Sequence, residues 1–359
     1  MSRGMEISKE QRRHLGKGLD VGTSLIRCAE RSGQEVIFRV ERSAFIDLEK
    51  SDFTESMLEL ADMGYVRSDD NIYIIGEAAL EFANISDRKL RRPLRNGLIS
   101  PSERSALPII EMILARLVGP SRQSSEALYY SVPGEPLDAE VNLAYHTKII
   151  QSMLRKLGYN AEPINEGLAV VFSELGRDEH FTGIGVSFGG GMVNVCFASR
   201  SVPLLTFSLA RSGDWIDERA ALAVGESPSY VCSIKENGLD LTDHDSLSKI
   251  PNALAIAYDE LIDYFAETLT REFGKMIKIP RSTEPFPLVL SGGTATPRGF
   301  ADRLTDALKE HQFPLEIARV WLAKDPLGSV SRGAMIAAQL KEGWRNQQSA
   351  QRASEERSS

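Results

Sequence analysis

The chain has 359 residues, 42% of them apolar and 26% charged, the balance of an ordinary folded protein, which excludes wholesale disorder. A formal net charge of −8 speaks against a surface dominated by nucleic-acid backbone binding, and the length makes two lobes of comparable size the default. Cys28, Cys196 and Cys232 fit neither a disulfide framework nor metal-ligand spacing and point to a reducing, cytoplasmic setting; no run approaches the ~18 apolar residues of a membrane span or forms a signal-peptide core.

Residues 1–17 are charged, with Arg12 and Arg13 beside His14, and Met5, Ile7 and Leu15 supply too little apolar face for an anchor. This segment reads as a mobile arm, or at most a weak membrane contact. Residues 18–29 place two apolar runs around the small polar turn Gly22, Thr23 and Ser24, with Asp20 at its entrance. Strands are expected at 35–40 and 71–76, the second followed by a helix from near Glu77. Residues 91–99 form a turn-rich connector. Leu107, Ile110, Ile113, Leu114 and Leu117 keep helical spacing over 102–117. A strand at 127–132 is stopped by Pro133, and a helix over about 137–157 ends on Gly158.

Residues 161–172 read as a short strand or turn feeding a helix, with Glu166 at the junction, where the helix dipole alone favours an acid. Residues 184–197 are two β-rich runs around Gly189, Gly190 and Gly191. A tip without side chains suits the close approach of an anion to backbone N–H groups, and it equally suits a bare glycine hairpin. A core helix is expected over about 252–277. Residues 287–300 read as strand, Gly292–Gly293 turn and helix, with helix N–H groups aimed at a ligand. From 344 onward the composition is that of a disordered tail.

Taken in order, these residues resemble the actin-like ATPases, which share a fold with heat-shock chaperone ATPases and sugar kinases, and within them the bacterial MreB group. The resemblance runs from about 17 to 340. Asp20-Val21-Gly22-Thr23 is similar to the first phosphate loop, and Pro163-Ile164-Asn165-Glu166 to the first connecting segment. Gly189-Gly190-Gly191 is similar to the second phosphate loop, Ser291-Gly292-Gly293-Thr294 to the adenosine loop, and 325–334 to the closing helix. Gly213-Asp214 resembles the turn near the nucleotide's ribose and phosphates, and Lys235-Glu236 the pair that contacts base and ribose; a solvated helix face is the alternative for that pair.

The resemblance implies a two-lobed α/β fold of the actin and heat-shock ATPase type, with a nucleotide cleft between duplicated mixed-sheet domains. Its expected divisions are an arm at 1–17, lobe I at 18–165, lobe II at 166–324, a closing helix at 325–343 returning to lobe I, and a tail at 344–359. It implies ATP with Mg²⁺, the phosphates held by Gly22, Thr23, Ser24, Gly189, Gly190 and Gly191. Gly213, Asp214, Lys235, Glu236, Gly292, Gly293 and Thr294 would surround the rest of the nucleotide. Asp20 would hold the metal through water, and Glu166 would orient the attacking water.

Two departures stand out. The family's second loop opens on Asp and continues with Thr-Thr-Asp or a similar polar set, whereas this chain has Ser187, then Met192, Val193 and Asn194. The family also carries a β-containing outer subdomain where this chain has a short acidic loop over 239–249. Three functions follow as expectations: a filament-forming cytoskeletal ATPase with slow turnover; a nucleotide-binding scaffold that recruits a protein partner without hydrolysis; and, last, a sugar-kinase-like phosphotransferase, which lacks an obvious second acid.

Overall fold

The computed structural model describes residues 15–61, 63–68, 71–86, 88–103, 105–176, 181–242, 248–278 and 284–356. The chain divides into two compact units, one of residues 1–130, 143–163 and 338–359, the other of 131–142 and 164–337. The expected division at 165 and 166 leaves out the excursion of 131–142 into the second unit. The segment 325–343, expected to return to lobe I, has its residues up to 337 in the second unit and those from 338 in the first.

The first unit is built on a five-stranded sheet in the order β10-β9-β1-β2-β3. Its strands are β1 (Lys17–Val21), β2 (Leu25–Ser32), β3 (Glu35–Arg42), β9 (Glu126–Val132) and β10 (Tyr159–Asn165). β1 runs antiparallel to β2 and parallel to β9, and the helix Ala106–Val118 lays Ile109, Ile110, Ile113 and Leu114 into the core. A three-stranded sheet, with β6 (Asn71–Ile75) between β4 (Phe45–Glu49) and β5 (Tyr65–Ser68), closes over Ile46, Leu58, Ile72, Ile74 and Phe82. The connector at 91–99 is a small hairpin of β7 (Leu94–Arg95) and β8 (Leu98–Ile99), turned by Asn96 and Gly97, both at positive φ.

Both ends of the sequence reading need correction here. Leu15 and Lys17, expected in a mobile arm, are buried, because Lys17 reaches the Val118 carbonyl at 2.8 Å and the Glu30 carboxylate at 3.1 Å. Residues 1–14 of that arm lie outside the described residues. The last helix runs Ser329–Glu356, so residues 344–356 are helical where a disordered tail was expected. Its anchor is Glu342, buried and accepting the Ala127 N–H at 2.7 Å, with Lys341 paired to Glu162 one residue earlier. The helix expected from 137 starts only at Leu143, since 134–138 is spent on the second unit's sheet.

The second unit has one five-stranded sheet among the described residues, in the order β13-β12-β11-β14-β15. Its strands are β11 (Gly183–Phe188), β12 (Val193–Ser199), β13 (Val202–Leu209), β14 (Phe286–Ser291) and β15 (Ile317–Leu322). β11 is buried along its whole length, as its apolar sequence requires of a central strand. On one face Phe188 meets the rings of Phe265 and Phe300 at 4.8 and 5.0 Å, joining the helices Lys249–Gly274 and Phe300–Glu310 to the sheet. On the other lies the helix Glu166–Glu174. The short loop after Gly238 is tied back through the Leu241 N–H to the Arg298 carbonyl at 2.9 Å. Its residues 243–247 lie outside the described residues.

Candidate functional site

The glycine hairpin of the second unit forms as the sequence suggests, β11 and β12 pairing antiparallel up to Phe188 and Val193. The Gly189 N–H closes the turn on the Met192 carbonyl at 2.9 Å. The two exposed carbonyls are then taken up from one side. That of Gly189 accepts the Gly213 N–H at 3.1 Å and the Thr294 hydroxyl at 2.9 Å. That of Gly190 accepts the Asp214 N–H at 2.7 Å and the Ser212 hydroxyl at 2.6 Å.

These bonds orient the rest of the turn. In a planar trans peptide the N–H points opposite to the C=O of the preceding residue, and no described peptide bond is cis. With both carbonyls drawn to residues 212–214 and 294, the N–H groups of Gly190 and Gly191 are directed the other way, side by side. No side chain stands between them. Two adjacent, parallel N–H donors on a bare backbone make an anion-binding concavity.

The surrounding parts are fixed by close contact. A Cβ on Gly213 would lie 2.5 Å from the Thr294 hydroxyl and 3.2 Å from the Gly189 carbonyl oxygen, so only glycine lets the three segments meet. Lys235, on the helix Pro228–Glu236, points inward. Its ammonium donates to the Gly213 carbonyl at 3.0 Å and to Asp217 at 2.8 Å. Burial pushes the Asp217 carboxyl upward, and the Lys235 charge pulls against that. Lys235 thus braces the turn from below, while Glu236 is exposed, the solvated position weighed for it above. The helix expected directly after Gly292–Gly293 does not start there: a single 3₁₀ turn, Gly293–Ala295, intervenes and the helix begins at Phe300. Thr294 is therefore held by Gly189 and not by a helix N-terminus.

Beneath the turn lies a feature that periodicity alone did not isolate. In register across four strands stand Ser208, Asn194, Ser187 and Ser291, all buried. The outer two are spent locally: Ser208 donates to the Gly134 carbonyl at 2.9 Å, and Ser291 to that of Pro326 at 2.9 Å. Asn194 accepts the Gly134 N–H at 3.0 Å through Oδ1, while its Nδ2, without solvent contact, has no partner. A buried donor left unmade costs about 1–3 kcal/mol. The alternation of side chains along a strand puts this row on the face that also carries Gly185 and Cys196, against which the helix Glu166–Glu174 packs.

Glu166 opens that helix at 8% exposure, and Asn165 caps it by accepting the Leu168 N–H at 3.1 Å. The expected junction between turn and helix is where the structure places it. The close approach rests on two further glycines: a Cβ on Gly167 would lie 2.5 Å from the Cys196 nitrogen, and one on Gly185 would be driven into the Gly167 carbonyl.

In the first unit, Asp20 sits near the end of β1, opposite Arg27 on β2. The Gly22 N–H closes the turn on the Leu25 carbonyl at 3.2 Å. The Thr23 oxygen accepts the Gly97 N–H at 2.7 Å, so this hydroxyl positions the neighbouring hairpin and still has its own proton to donate. The Ser24 carbonyl takes the Ser43 N–H at 3.0 Å.

Ser187 and Asn194, which stand where the second loop of the MreB group has carboxylates, do not fit the Mg²⁺ that the resemblance implies; Asp20, to which the resemblance gives the metal, belongs to the first unit's turn. Such an ion is held by carboxylates, directly or through its waters, and Ser187 and Asn194 carry no charge. Among the described residues no group of three or more His, Cys, Asp or Glu is placed to hold a metal.

The sequence reading passed over Ser212, Asp217, Gly167 and Gly185, and treated Asn194 only as a departure. For Asn194 the signal was present. Once a four-residue tip at 189–192 is set, residues 187 and 194 must pair on one face.

Residues 15–338 match the family described as Volactin. No curated protein matches the chain. Among solved structures it is similar to a MamK double helical filament, at 18% identity and a TM-score of 0.69 over 90% of this chain and 98% of that one. It is also similar to a non-polymerising MamK mutant bound to AMPPNP, at 19% identity and a TM-score of 0.58 over 91% and 99%. A third is MreB5 of Spiroplasma citri bound to ADP, at 16% identity and a TM-score of 0.63 over 92% and 98%. These likenesses show the fold, which is actin-like.

Proposed function

The chain belongs to the Volactin family, and from that premise we propose that it is an actin-like cytoskeletal protein that binds a nucleoside triphosphate, ATP in the first instance, and assembles with copies of itself into filaments. The observation that carries the nucleotide is the turn at Gly189–Gly191, whose Gly189 and Gly190 carbonyls are both taken up by residues 212–214 and 294, which turns the Gly190 and Gly191 N–H groups away from those partners. The Gly189–Gly191 turn takes phosphate oxygens, and Gly213, Asp214 and Gly292 to Thr294 border the remainder of the ligand; Gly22 to Ser24 form the corresponding phosphate-binding turn of the first unit. Glu166 orients the water that attacks the terminal phosphate. The nucleotide-bound and filamentous states of the structural neighbours support this reading.

Titration of a fluorescent ATP analogue, followed by sedimentation with and without ATP, tests it. Saturable binding and nucleotide-dependent pelleting are expected. No binding at any nucleotide concentration removes the proposal. A second reading, a scaffold that binds nucleotide without turnover, is favoured by Ser187 standing where the MreB-type second loop that this turn resembles opens on a carboxylate. Binding without phosphate release would select it.

A further inference from the structure

We propose that Ser187 and Asn194 meet the phosphate end of the nucleotide as two uncharged hydrogen-bond donors, so that nucleotide binding at this turn depends little on a divalent cation. This rests on the nucleotide-binding reading above and specifies its chemistry.

The orientation of the Asn194 amide is fixed by its partner. The Gly134 N–H can be accepted only by Oδ1, at 3.0 Å, which leaves the NH₂ group as the end without a protein partner. Asn194 pairs in register with Ser187, and the next pair toward the tip, Phe188 and Val193, faces the opposite side of the sheet. Ser187 and Asn194 are therefore the first polar side chains under the glycine turn on the face that carries the Glu166 helix, next below the apolar Met192 and its partner Gly189. The flanking Ser208 and Ser291 have already given their protons to main-chain carbonyls. Donor capacity remains at the two inner positions, directly below the N–H groups of Gly190 and Gly191.

The chemistry of the two candidate neighbours then decides. A hydrated cation presents water protons and asks its surroundings for acceptors. Oδ1 of Asn194 is turned to the Gly134 N–H, and the free NH₂ end can only donate. A phosphate oxygen only accepts, and matches a backbone N–H pair extended by an amide and a hydroxyl. Ser187 and Asn194 bring no negative charge to a cation's outer shell, while their donors suit a phosphate.

The test is anisotropy titration of a fluorescent ATP analogue in Mg²⁺ and in excess EDTA, for wild type, Asn194→Asp and Ser187→Asp, with thermal melts of the free proteins. Wild-type affinity is expected to change by less than about threefold between the two buffers. Either carboxylate variant is expected to lose at least about tenfold in EDTA and to recover in Mg²⁺, since a carboxylate repels phosphate and attracts the cation. Should Asn194→Asp melt early, Ser187→Asp alone gives the comparison. A wild-type loss of about tenfold or more in EDTA overturns this inference while leaving nucleotide binding intact. Absence of binding in both buffers overturns the nucleotide reading, and this inference with it.

Discussion

Gly167 and Gly185 touch backbone to backbone: a side chain on Gly185 would enter the Gly167 carbonyl, and one on Gly167 would lie 2.5 Å from the Cys196 nitrogen and 2.8 Å from the Gly185 oxygen. The contact seats the first turn of the helix Glu166–Glu174 directly on β11 and β12, two residue pairs below Ser187 and Asn194. Gly167→Ala or Gly185→Ala must push the helix outward, and overpacking of this kind costs about 1–3 kcal/mol. Chemical denaturation should show that loss. Because Glu166 moves with the helix, phosphate release should fall further than ATP affinity.

Glu166→Gln separates chemistry from binding more cleanly. The amide keeps the shape of the side chain at the capped helix N-terminus, so the fold and ATP affinity should stay within about twofold. It cannot polarise a water as a carboxylate does, and loss of such a group slows a reaction by about 10²–10⁴-fold. Single-turnover phosphate release checks this. Equal rates in the two proteins would take Glu166 out of the mechanism.

Most of the architecture was legible because its signals are local. Apolar runs interrupted by glycine at 189–191 and 292–293 gave β11, β12 and β14, and the spacing of Leu107 to Leu117 gave a helix. What failed was set by distant partners. The helix expected from about 137 starts late because the chain from Gly134 to Asp138 is held by Ser208, Asn194 and the Ala210 N–H, more than fifty residues on. Lys235 looked like a surface residue or a ligand contact, and its partner Asp217 was invisible without the packing of two helices. The polar tail after 344 lacks the apolar face that usually marks a helix, yet it continues a helix already anchored by Glu342. The Asn96–Gly97 hairpin, by contrast, carried its standard signal and was passed over.

Lys235 and Asp217 form a pair with 10% and 5% side-chain exposure. Removing one partner leaves the other charge in a poorly solvated place, which costs about 3–5 kcal/mol. Lys235→Met should therefore lower the urea midpoint well before any effect on nucleotide is considered. The Gly213 carbonyl also loses its donor, so the turn that grips Gly189 and Gly190 should loosen. Residual folded protein should bind ATP more weakly. If Lys235→Met is as stable as wild type, the bracing role assigned to it is wrong.

His146 supplies a pH dependence of known sign. Its ring is 1% exposed, Nδ1 accepts the Ile99 N–H at 3.3 Å, and the proton of the neutral ring must therefore sit on Nε2, which has no partner. Burial lowers its pKa to about 4 from the usual 6.5. Well above pH 6.5 neither the folded nor the unfolded ring is protonated, and the group adds nothing to the pH dependence. As pH falls from 6.5 towards 4 the unfolded chain takes up a proton that the native site refuses, so stability drops across that window. At 1.36 kcal/mol per unit the full loss is about 3 kcal/mol. His146→Gln keeps an acceptor for the Ile99 N–H and cannot titrate. Urea denaturation at pH 7 and pH 4.5 should show a smaller pH-dependent loss for the variant than for wild type. Equal losses would mean that the carboxylates carry the whole acid sensitivity and that the His146 ring reaches water in the native state.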